Sequence, residues 1–340
     1  MAQRQVSDDH ALQFLASEGY LPLALSDHPG MVEAYTQLFA QTSKFFNLPP
    51  DSPEKTNHQA ASGAAASEEG YSQIPHEKCI MTVKTSTHCP STLRPELHTA
   101  WDLTGAFLAS ITTAIAHTLS LDPAVFSPFV APCTAFPPTE RTPTLVRMFR
   151  YDRPAAATAG PRVNAEKHKD LGLLSLVVGR SPGLQALDPS SNAWVSVEDE
   201  ANLPPGAVAR SGGLTATLLA GETLAFLSRG VYRAGVHRVV CAPSAENNAA
   251  DPYRFSIVYT LRAAPAPLFT RDFESGVVGA FGPGERVEGE SSAVMFERIM
   301  RTHWNVNAAP GVREEQRRKF EGRNGGGGVG VESRQERASG

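Results

Sequence analysis

Two histidines and one aspartate are the residues whose types and spacing could hold a metal ion. His168 and Asp170 are two positions apart, so an extended backbone directs both side chains to the same face. His237 lies on a different predicted strand. Two imidazoles and one carboxylate leave positions open on an octahedral ion, which suits Fe(II) and oxygen chemistry. A structural zinc would need a fourth protein ligand. The three residues therefore predict a mononuclear iron site.

Arg254 and Ser256 form a second polar pair, on a later predicted strand. Strand alternation places both on one face, and an arginine that points inward needs an anion. One possible anion is an acidic side chain of the protein, which has 35 of them. The other is a dicarboxylate that chelates the iron at one end. A guanidinium grips the far carboxylate of such a molecule through two parallel hydrogen bonds, and the serine hydroxyl adds a third. The neighbouring iron triad favours the dicarboxylate.

The elements that must position these side chains are short apolar runs within about residues 143 to 263. Gly, Pro, Asn and Asp separate the runs, whose spacing is typical of an all-β sandwich or jelly roll. The predicted strands are 144–151, 172–178, 184–187, 194–197, 214–219, 223–227, 236–241 and 255–261.

Regions of different pattern flank this β-rich core of 143–263. Residues 1–142 form a mainly helical region that we expect to pack on the core, with helical periodicity near 31–46 and 97–121. Residues 264–322 form a C-terminal loop and helix. Residues 323–340 are rich in glycine and charge, a composition that predicts a disordered tail.

Net charge and composition indicate which kinds of binding partner to expect. The formal net charge of −4 argues against a nucleic-acid binder, which usually carries a basic stripe. The N-terminus lacks a secretory pattern and no stretch has the roughly 18 apolar residues of a membrane span. We therefore expect a cytoplasmic protein with no membrane partner. The four cysteines form no CxxC pair, so they indicate neither a zinc knuckle nor a disulfide framework.

The order of these motifs resembles one enzyme family. His-x-Asp, then His-Arg-Val, then Arg-x-Ser is similar to the isopenicillin N synthase-like branch of the Fe(II)/2-oxoglutarate-dependent dioxygenases. The resemblance covers about residues 10 to 305. Further matching segments are Glu18-Gly19-Tyr20, Phe45-Phe46-Asn47-Leu48-Pro49, Gly70-Tyr71, Leu171-Gly172-Leu173-Leu174, Gly183-Leu184-Gln185 with Trp194, and Gly221-Glu222-Thr223-Leu224.

The resemblance implies a mainly β fold with flanking helices around a double-stranded β-helix, or jelly-roll, core. It implies that His168, Asp170 and His237 are the catalytic iron ligands. Arg254 and Ser256 match the clamp for the 2-oxoglutarate co-substrate, and Tyr151 matches a tyrosine that assists it. Phe149 stands where many members have asparagine, a departure that affects the co-substrate contacts. Part of 212–220, and 244–251, are interpreted as insertions.

The implied function is that of a 2-oxoglutarate-dependent iron(II) oxygenase. Its partners would be molecular oxygen and a small organic substrate, which it would hydroxylate, desaturate, or close or expand into a ring. One alternative is an iron oxidase of the same fold that does not use 2-oxoglutarate. Another, from a different class, is a non-catalytic jelly-roll binding protein with an incidental metal triad.

Overall fold

Two antiparallel β-sheets that face each other form the centre of the molecule in a computed structural model of the chain. The structure describes residues 9–28, 30–61, 68–154, 160–199, 210–211, 213–243, 252–301, 303 and 305–324. The strands are β1 (Tyr20–Leu23), β2 (Gly70–Ile74), β3 (Lys78–Val83), β4 (Leu145–Asp152), β5 (Arg162–His168), β6 (Leu174–Gly179), β7 (Leu184–Leu187), β8 (Trp194–Ser196), β9 (Arg210–Ser211), β10 (Leu214–Ala220), β11 (His237–Cys241), β12 (Tyr253–Leu261), β13 (Pro267–Phe269) and β14 (Glu288–Ser291).

The larger sheet has the strand order β1-β10-β6-β12-β4-β3-β2, with β9 added beside β10. The smaller sheet has the order β5-β11-β7-β8. Side chains from both sheets meet in one buried cluster, which includes Phe149 and Val177 of the larger sheet and Val239 of the smaller one. Two facing sheets around a common interior form the jelly roll that the sequence predicts.

Helices flank the sheets, and the two longest of the N-terminal half cover the outer face of the larger one. The helices are α1 (Asp9–Glu18), α2 (Met31–Asn47), α3 (Pro53–Thr56), α4 (Arg94–Thr118), α5 (Ser127–Val130), α6 (Glu222–Leu227), α7 (Ser292–Met300) and α8 (Pro310–Asn324). Leu38 and Phe39 of α2 and Trp101 of α4 are buried in the same apolar cluster as Ile257 and Tyr259 of β12. None of these helices, within the described residues, is long and apolar enough to cross a membrane.

Several element predictions need correction. Residues 1–142 also supply three strands, β1 to β3, to the larger sheet. Residues 162–168, not predicted as a strand, form β5. The segment 212–220, interpreted in part as an insertion, contains β10, whose seven residues are all buried between β1 and β6. A run that pairs on both sides is part of the core. The division of the chain into four regions stays a prediction.

The predicted strand at 223–227 is instead the short helix α6. Leu224 and Leu227 are three residues apart and both buried, so a helix buries them on one face. The segments 244–251 and 325–340, which include the second interpreted insertion and most of the predicted disordered tail, lie outside the described residues. Residues 323 and 324 of that tail end α8.

The C-terminal segment is fastened to the larger sheet by buried charge. Lys78, a fully buried residue of β3, donates to the carbonyl oxygens of Asn164 and Val306 at 3.1 and 3.0 Å. Arg313 of α8 makes two hydrogen bonds to the Glu77 carboxylate, at 2.8 and 2.7 Å. Burial lowers the pKa of Lys78 to about 8 despite the nearby Glu77. These contacts hold residues 306–313 against β3 and β5.

Substitution of Gly105 tests how closely α4 packs against the backbone at Thr134. A Cβ atom there would lie 2.1 Å from the carbonyl oxygen of Thr134, which is backbone and cannot move cheaply. Alanine improves helix propensity by about 1 kcal/mol, whereas overpacking costs about 1–3 kcal/mol. We expect Gly105→Ala to lower the free energy of unfolding in urea. Gly284→Ala, whose Cβ would meet nothing within 4 Å, should leave it nearly unchanged. A stabilised Gly105→Ala variant would contradict the packing described here.

Candidate metal centre and co-substrate pocket

His168, Asp170 and His237 meet at one point between the two sheets. The Nε2 atoms of both histidines lie 3.9 Å from Oδ1 of Asp170, and the two imidazole centres are 4.2 Å apart. Their ligand atoms all lie within 4.8 Å of one another, and this is the one such group of three found among the described residues. The spacing lets a single ion contact all three side chains.

Pairing between β5 and β11 brings the histidines together. His168 is the last residue of β5 and lies directly opposite His237, the first residue of β11. Nδ1 of His168 is 2.8 Å from the carbonyl oxygen of Glu166, and Nδ1 of His237 is 3.1 Å from that of Gly235. A carbonyl accepts only an N–H, so each Nδ1 carries the proton and each Nε2 presents its lone pair to the centre.

The ionisation of His168 and Asp170 also fits a metal. Burial and the adjacent His237 lower the pKa of His168 to about 3, so its imidazole is neutral at neutral pH. Burial alone would raise the pKa of Asp170, but the two histidines outweigh it and the pKa is lowered. Oδ2 of Asp170 is buried and has no hydrogen-bond partner among the residues that the structure describes, and such an atom calls for a ligand. A neutral His168 imidazole beside an ionised Asp170 carboxylate suits Fe(II).

The loop that carries Asp170 is held by the start of α6. The N–H groups of Glu222 and Thr223 donate to the carbonyl oxygens of Asp170 and Gly172, at 2.8 and 3.1 Å. A Cβ at Gly221 would lie 2.1 Å from the Gly172 carbonyl oxygen, so only glycine allows this approach. The Gly-Glu-Thr segment noted in the sequence thus positions the carboxylate ligand through backbone contacts.

A cavity of about 490 Å³, its open mouth included, lies against the three residues. Tyr151, Phe149 and Ser256 line it from the inner face of the larger sheet. Arg147 and Asn307 line it as well. The cavity therefore joins the metal centre to the predicted co-substrate residues.

Arg254 is buried beside this cavity and already has an anionic partner. The side chain is fully buried, and its Nη2 lies 3.1 Å from both carboxylate oxygens of Glu198. Nε donates to the carbonyl oxygens of Ser181 and Pro182. Nη1 is buried and has no hydrogen-bond partner within the described part of the chain. Burial would lower the pKa of Arg254, but Glu198 outweighs it, so the pKa is raised and the guanidinium stays charged.

The predicted neighbours of Arg254 also face the interior. Tyr151 pairs with Arg254 across β4 and β12, and Ser256 pairs with Phe149. The Tyr151 ring is stacked on Phe149 with centroids 5.3 Å apart, and burial raises the pKa of its phenol, which therefore stays a proton donor. Phe149 contributes an apolar wall of the cavity. Arg238 points away from the metal centre, over Trp194.

Sequence reasoning missed three residues near this site. Arg147 is two residues before Phe149 and therefore shares its face, a signal that strand alternation offers. Its Nη2 donates to the Glu68 carboxylate at 3.0 Å. Glu198 follows Ser196 by two positions just after β8, and its partner Arg254 is 56 residues away. Asn307 comes from the C-terminal segment and lines the cavity. No local sequence pattern indicated this position of Asn307 or the pairing of Glu198 with Arg254.

Comparison with curated proteins finds partial relatives. The chain is 34% identical over 125 residues to the 2-oxoglutarate-dependent dioxygenase frbH of a Dothideomycetidae species, covering 37% of this chain and 33% of that protein. It is 35% identical over 127 residues to the oxidoreductase vrtI of Penicillium aethiopicum, covering 37% and 26%. The matched segments thus span only about a quarter to a third of these relatives. No protein-family model matches the chain.

Solved structures show the same fold over most of the chain. A full-length Neurospora crassa protein, solved in complex with alpha-KG and 5-formyluracil, matches with a TM-score of 0.60 and 22% identity, over 85% of this chain and 87% of that one. A 2OG-Fe(II) oxygenase family protein from Caulobacter crescentus matches with a TM-score of 0.61 and 18% identity, over 86% and 92%. The jelly-roll fold is therefore that of 2-oxoglutarate/iron(II) oxygenases. The predicted resemblance is confirmed at that level, with no branch singled out.

Replacing any residue of the candidate metal centre should strongly weaken iron binding. We expect His168→Ala, Asp170→Ala and His237→Ala each to weaken Fe(II) binding by more than about 100-fold, since loss of even an outer-shell contact typically costs about 10–100-fold. Anaerobic equilibrium dialysis measures this, and thermal unfolding checks the fold. His98→Ala, which changes an exposed histidine on α4, is the matched control. A triad variant that keeps stoichiometric iron would remove that residue from the site.

Proposed function

We propose that this protein is a 2-oxoglutarate-dependent, non-haem iron(II) oxygenase that acts on a small organic molecule. One observation carries the proposal. The His168, Asp170 and His237 ligand atoms converge on one point, and the same interior holds Arg254, whose buried Nη1 lacks a hydrogen-bond partner among the described residues. A molecule that chelates a metal at one end and carries a carboxylate at the other would satisfy both.

In this mechanism the protein supplies position and exclusion of water. His168, Asp170 and His237 would hold Fe(II) and leave its other positions open for ligands. The carbonyl partners of the two Nδ1 atoms keep each Nε2 directed at the metal. When bound, iron and 2-oxoglutarate would activate molecular oxygen, which is the oxidant: oxidative decarboxylation of 2-oxoglutarate to succinate and carbon dioxide supplies two of the four electrons that oxygen takes up, and the substrate supplies the other two.

The co-substrate would lie along the inner face of β12. Nη1 of Arg254 and the hydroxyl of Ser256 are donors suited to its far carboxylate, because charge-assisted hydrogen bonds are the strong ones. The Tyr151 phenol, protonated and on the neighbouring strand, could donate to the same ligand. Phe149 and Val177 line the cavity there and would exclude water, which strengthens these polar contacts.

The substrate would occupy the part of the cavity that the co-substrate leaves free, near Arg147 and Asn307. The structural neighbours favour a small molecule, since the Neurospora crassa protein was solved with thymine and with 5-formyluracil. Hydroxylation, desaturation, and ring closure or expansion all fit a substrate hydrogen held near the metal.

A specific observation favours the second candidate, an iron oxidase of this fold that does not use 2-oxoglutarate. The Arg254 guanidinium is already neutralised by Glu198, so it does not need an external anion for charge balance. The unpartnered Nη1 atom is the feature that weighs for the co-substrate instead.

Succinate formation separates the two candidates. We expect the iron-loaded protein to consume 2-oxoglutarate and release succinate in equal amounts under oxygen, and to take up no oxygen when 2-oxoglutarate is left out. Quantitative chromatography of both acids, alongside oxygen uptake, measures this. The Asp170→Ala variant is the negative control. Oxygen uptake with a panel of small molecules but without 2-oxoglutarate would favour the oxidase.

Arg254→Lys should weaken co-substrate binding without removing the charge that Glu198 needs. Lysine has no planar fork and cannot replace both Nη2 and Nη1. Losing a hydrogen bond to a charged group costs about 1.5–3 kcal/mol, so the KM for 2-oxoglutarate should rise by roughly ten- to a hundredfold, with iron affinity unchanged. Ser256→Ala should act in the same direction but less strongly.

Arg254→Leu is a less suitable test of the clamp. It leaves the Glu198 carboxylate buried without its cation, which typically costs about 3–5 kcal/mol of stability. Thermal unfolding should reveal that loss. An Arg254→Lys variant with an unchanged KM for 2-oxoglutarate would contradict the proposed clamp.

A further inference from the structure

Glu198 is a buried carboxylate that the proposed mechanism does not use. The residue is 2% exposed, and each of its oxygens accepts two hydrogen bonds. Oε2 accepts from the Leu184 backbone N–H at 2.7 Å, and Oε1 accepts from the Thr215 hydroxyl at 3.0 Å. Both oxygens also accept from Nη2 of Arg254. Together these contacts hold the carboxylate in one orientation.

The same contacts leave Arg254 with a single unused nitrogen. Its Nε is saturated by two carbonyl oxygens, and its Nη2 by Glu198. Nη1 is buried, and its N–H groups have no partner in the described part of the chain, which is costly unless a ligand satisfies them. The guanidinium and the carboxylate together have no net charge.

Two glycines make room for this pair. A Cβ at Gly179 would lie 2.4 Å from Oε1 of Glu198, and one at Gly183 would lie 2.5 Å from Nε of Arg254. Gly179 also stands beside Ser256 in the sheet. The backbone is therefore shaped around the pair at the point where it meets the clamp.

Resting on the proposed function, we propose that Glu198 is a specificity-determining residue of the co-substrate clamp. Glu198 holds the guanidinium in place and offsets its charge. The far carboxylate of a 2-oxo dicarboxylic acid is then recognised by one guanidinium nitrogen and Ser256, rather than by an uncompensated cation. Glu198 therefore has two roles. Its negative charge repels the far carboxylate of the co-substrate and weakens co-substrate binding, while its hydrogen bonds hold the Arg254 guanidinium in the orientation that binds this carboxylate.

Glu198→Gln separates these two roles. The amide oxygen can accept from the Leu184 N–H and from Nη2, and the amide nitrogen can donate to the Thr215 hydroxyl. The variant loses the negative charge and the second of the two Nη2 contacts, since an amide nitrogen cannot accept it, while the other contacts of the side chain are kept. Removing a nearby like charge should tighten 2-oxoglutarate binding by roughly three- to tenfold. Binding of 2-oxopentanoate, which has the same chain length but no far carboxylate, should not change.

Gly179→Ala tests the geometry without altering charge. The added methyl group displaces the Glu198 carboxylate and with it the guanidinium. We expect 2-oxoglutarate binding to weaken by about tenfold, the equivalent of one hydrogen bond, with 2-oxopentanoate again unaffected. The matched control for Glu198→Gln is Glu288→Gln. It causes the same change in net charge, but it removes a carboxylate from an exposed pair with Arg271.

The measurement is the dissociation constant of each acid for the iron-loaded full chain, by anaerobic calorimetry, with kcat and KM recorded in parallel. Tighter 2-oxoglutarate binding in Glu198→Gln with unchanged 2-oxopentanoate binding supports the proposal. Weaker or unchanged 2-oxoglutarate binding overturns it, as does an equal effect on both acids, which would indicate a structural role. If the unaltered protein turns over without 2-oxoglutarate, the proposed function fails first and this inference fails with it.

Discussion

The antiparallel pairing of β5 with β11 is the constraint on which the candidate metal centre of His168, Asp170 and His237 depends. It sets His168 opposite His237 at the end of the smaller sheet, and the chain then turns directly into Asp170. Because paired residues on one face have closely spaced side chains, the two imidazoles converge without any special loop. A slip of one residue in this register would move one histidine to the outer face.

The register is maintained by contacts that lie away from the metal. The start of α6 grips the loop that carries Asp170 through backbone hydrogen bonds. Arg317 of α8 binds the Glu166 carboxylate, two residues before His168. Lys78 joins β3 to the carbonyl oxygens of β5 and the C-terminal segment. Three parts of the chain that are distant in sequence, α6, α8 and β3, therefore hold the segment 164–170 through polar contacts.

Burial of a charged group has a large desolvation free energy, and in the interior this is offset by pairing each charge with an opposite one. Arg254 and Glu198, at 0% and 2% exposure, compensate each other, as Arg313 and Glu77 do beside the C-terminal segment. A buried ion pair gives little net stability compared with an apolar pair of the same shape. Its value here is positional, since each charge fixes the orientation of its partner and leaves one defined donor, Nη1, for a ligand.

The sequence by itself determined that Arg254 and Ser256 share one face of a strand, because a spacing of two residues encodes a shared face in any extended chain. It also offered His168, Asp170 and His237 as a candidate triad, but Asp170 follows the end of β5, so the fold and not strand alternation brings its carboxylate to the two histidines. The local sequence pattern did not predict β5, and it predicted a strand where α6 forms. In both segments, backbone contacts in the folded chain outweigh the local propensity. Only the tertiary structure decided that Glu198 is the partner of Arg254 and that Asn307 lines the cavity. Such pairs depend on which strands become neighbours, and strand order is a property of the whole chain that no short segment records.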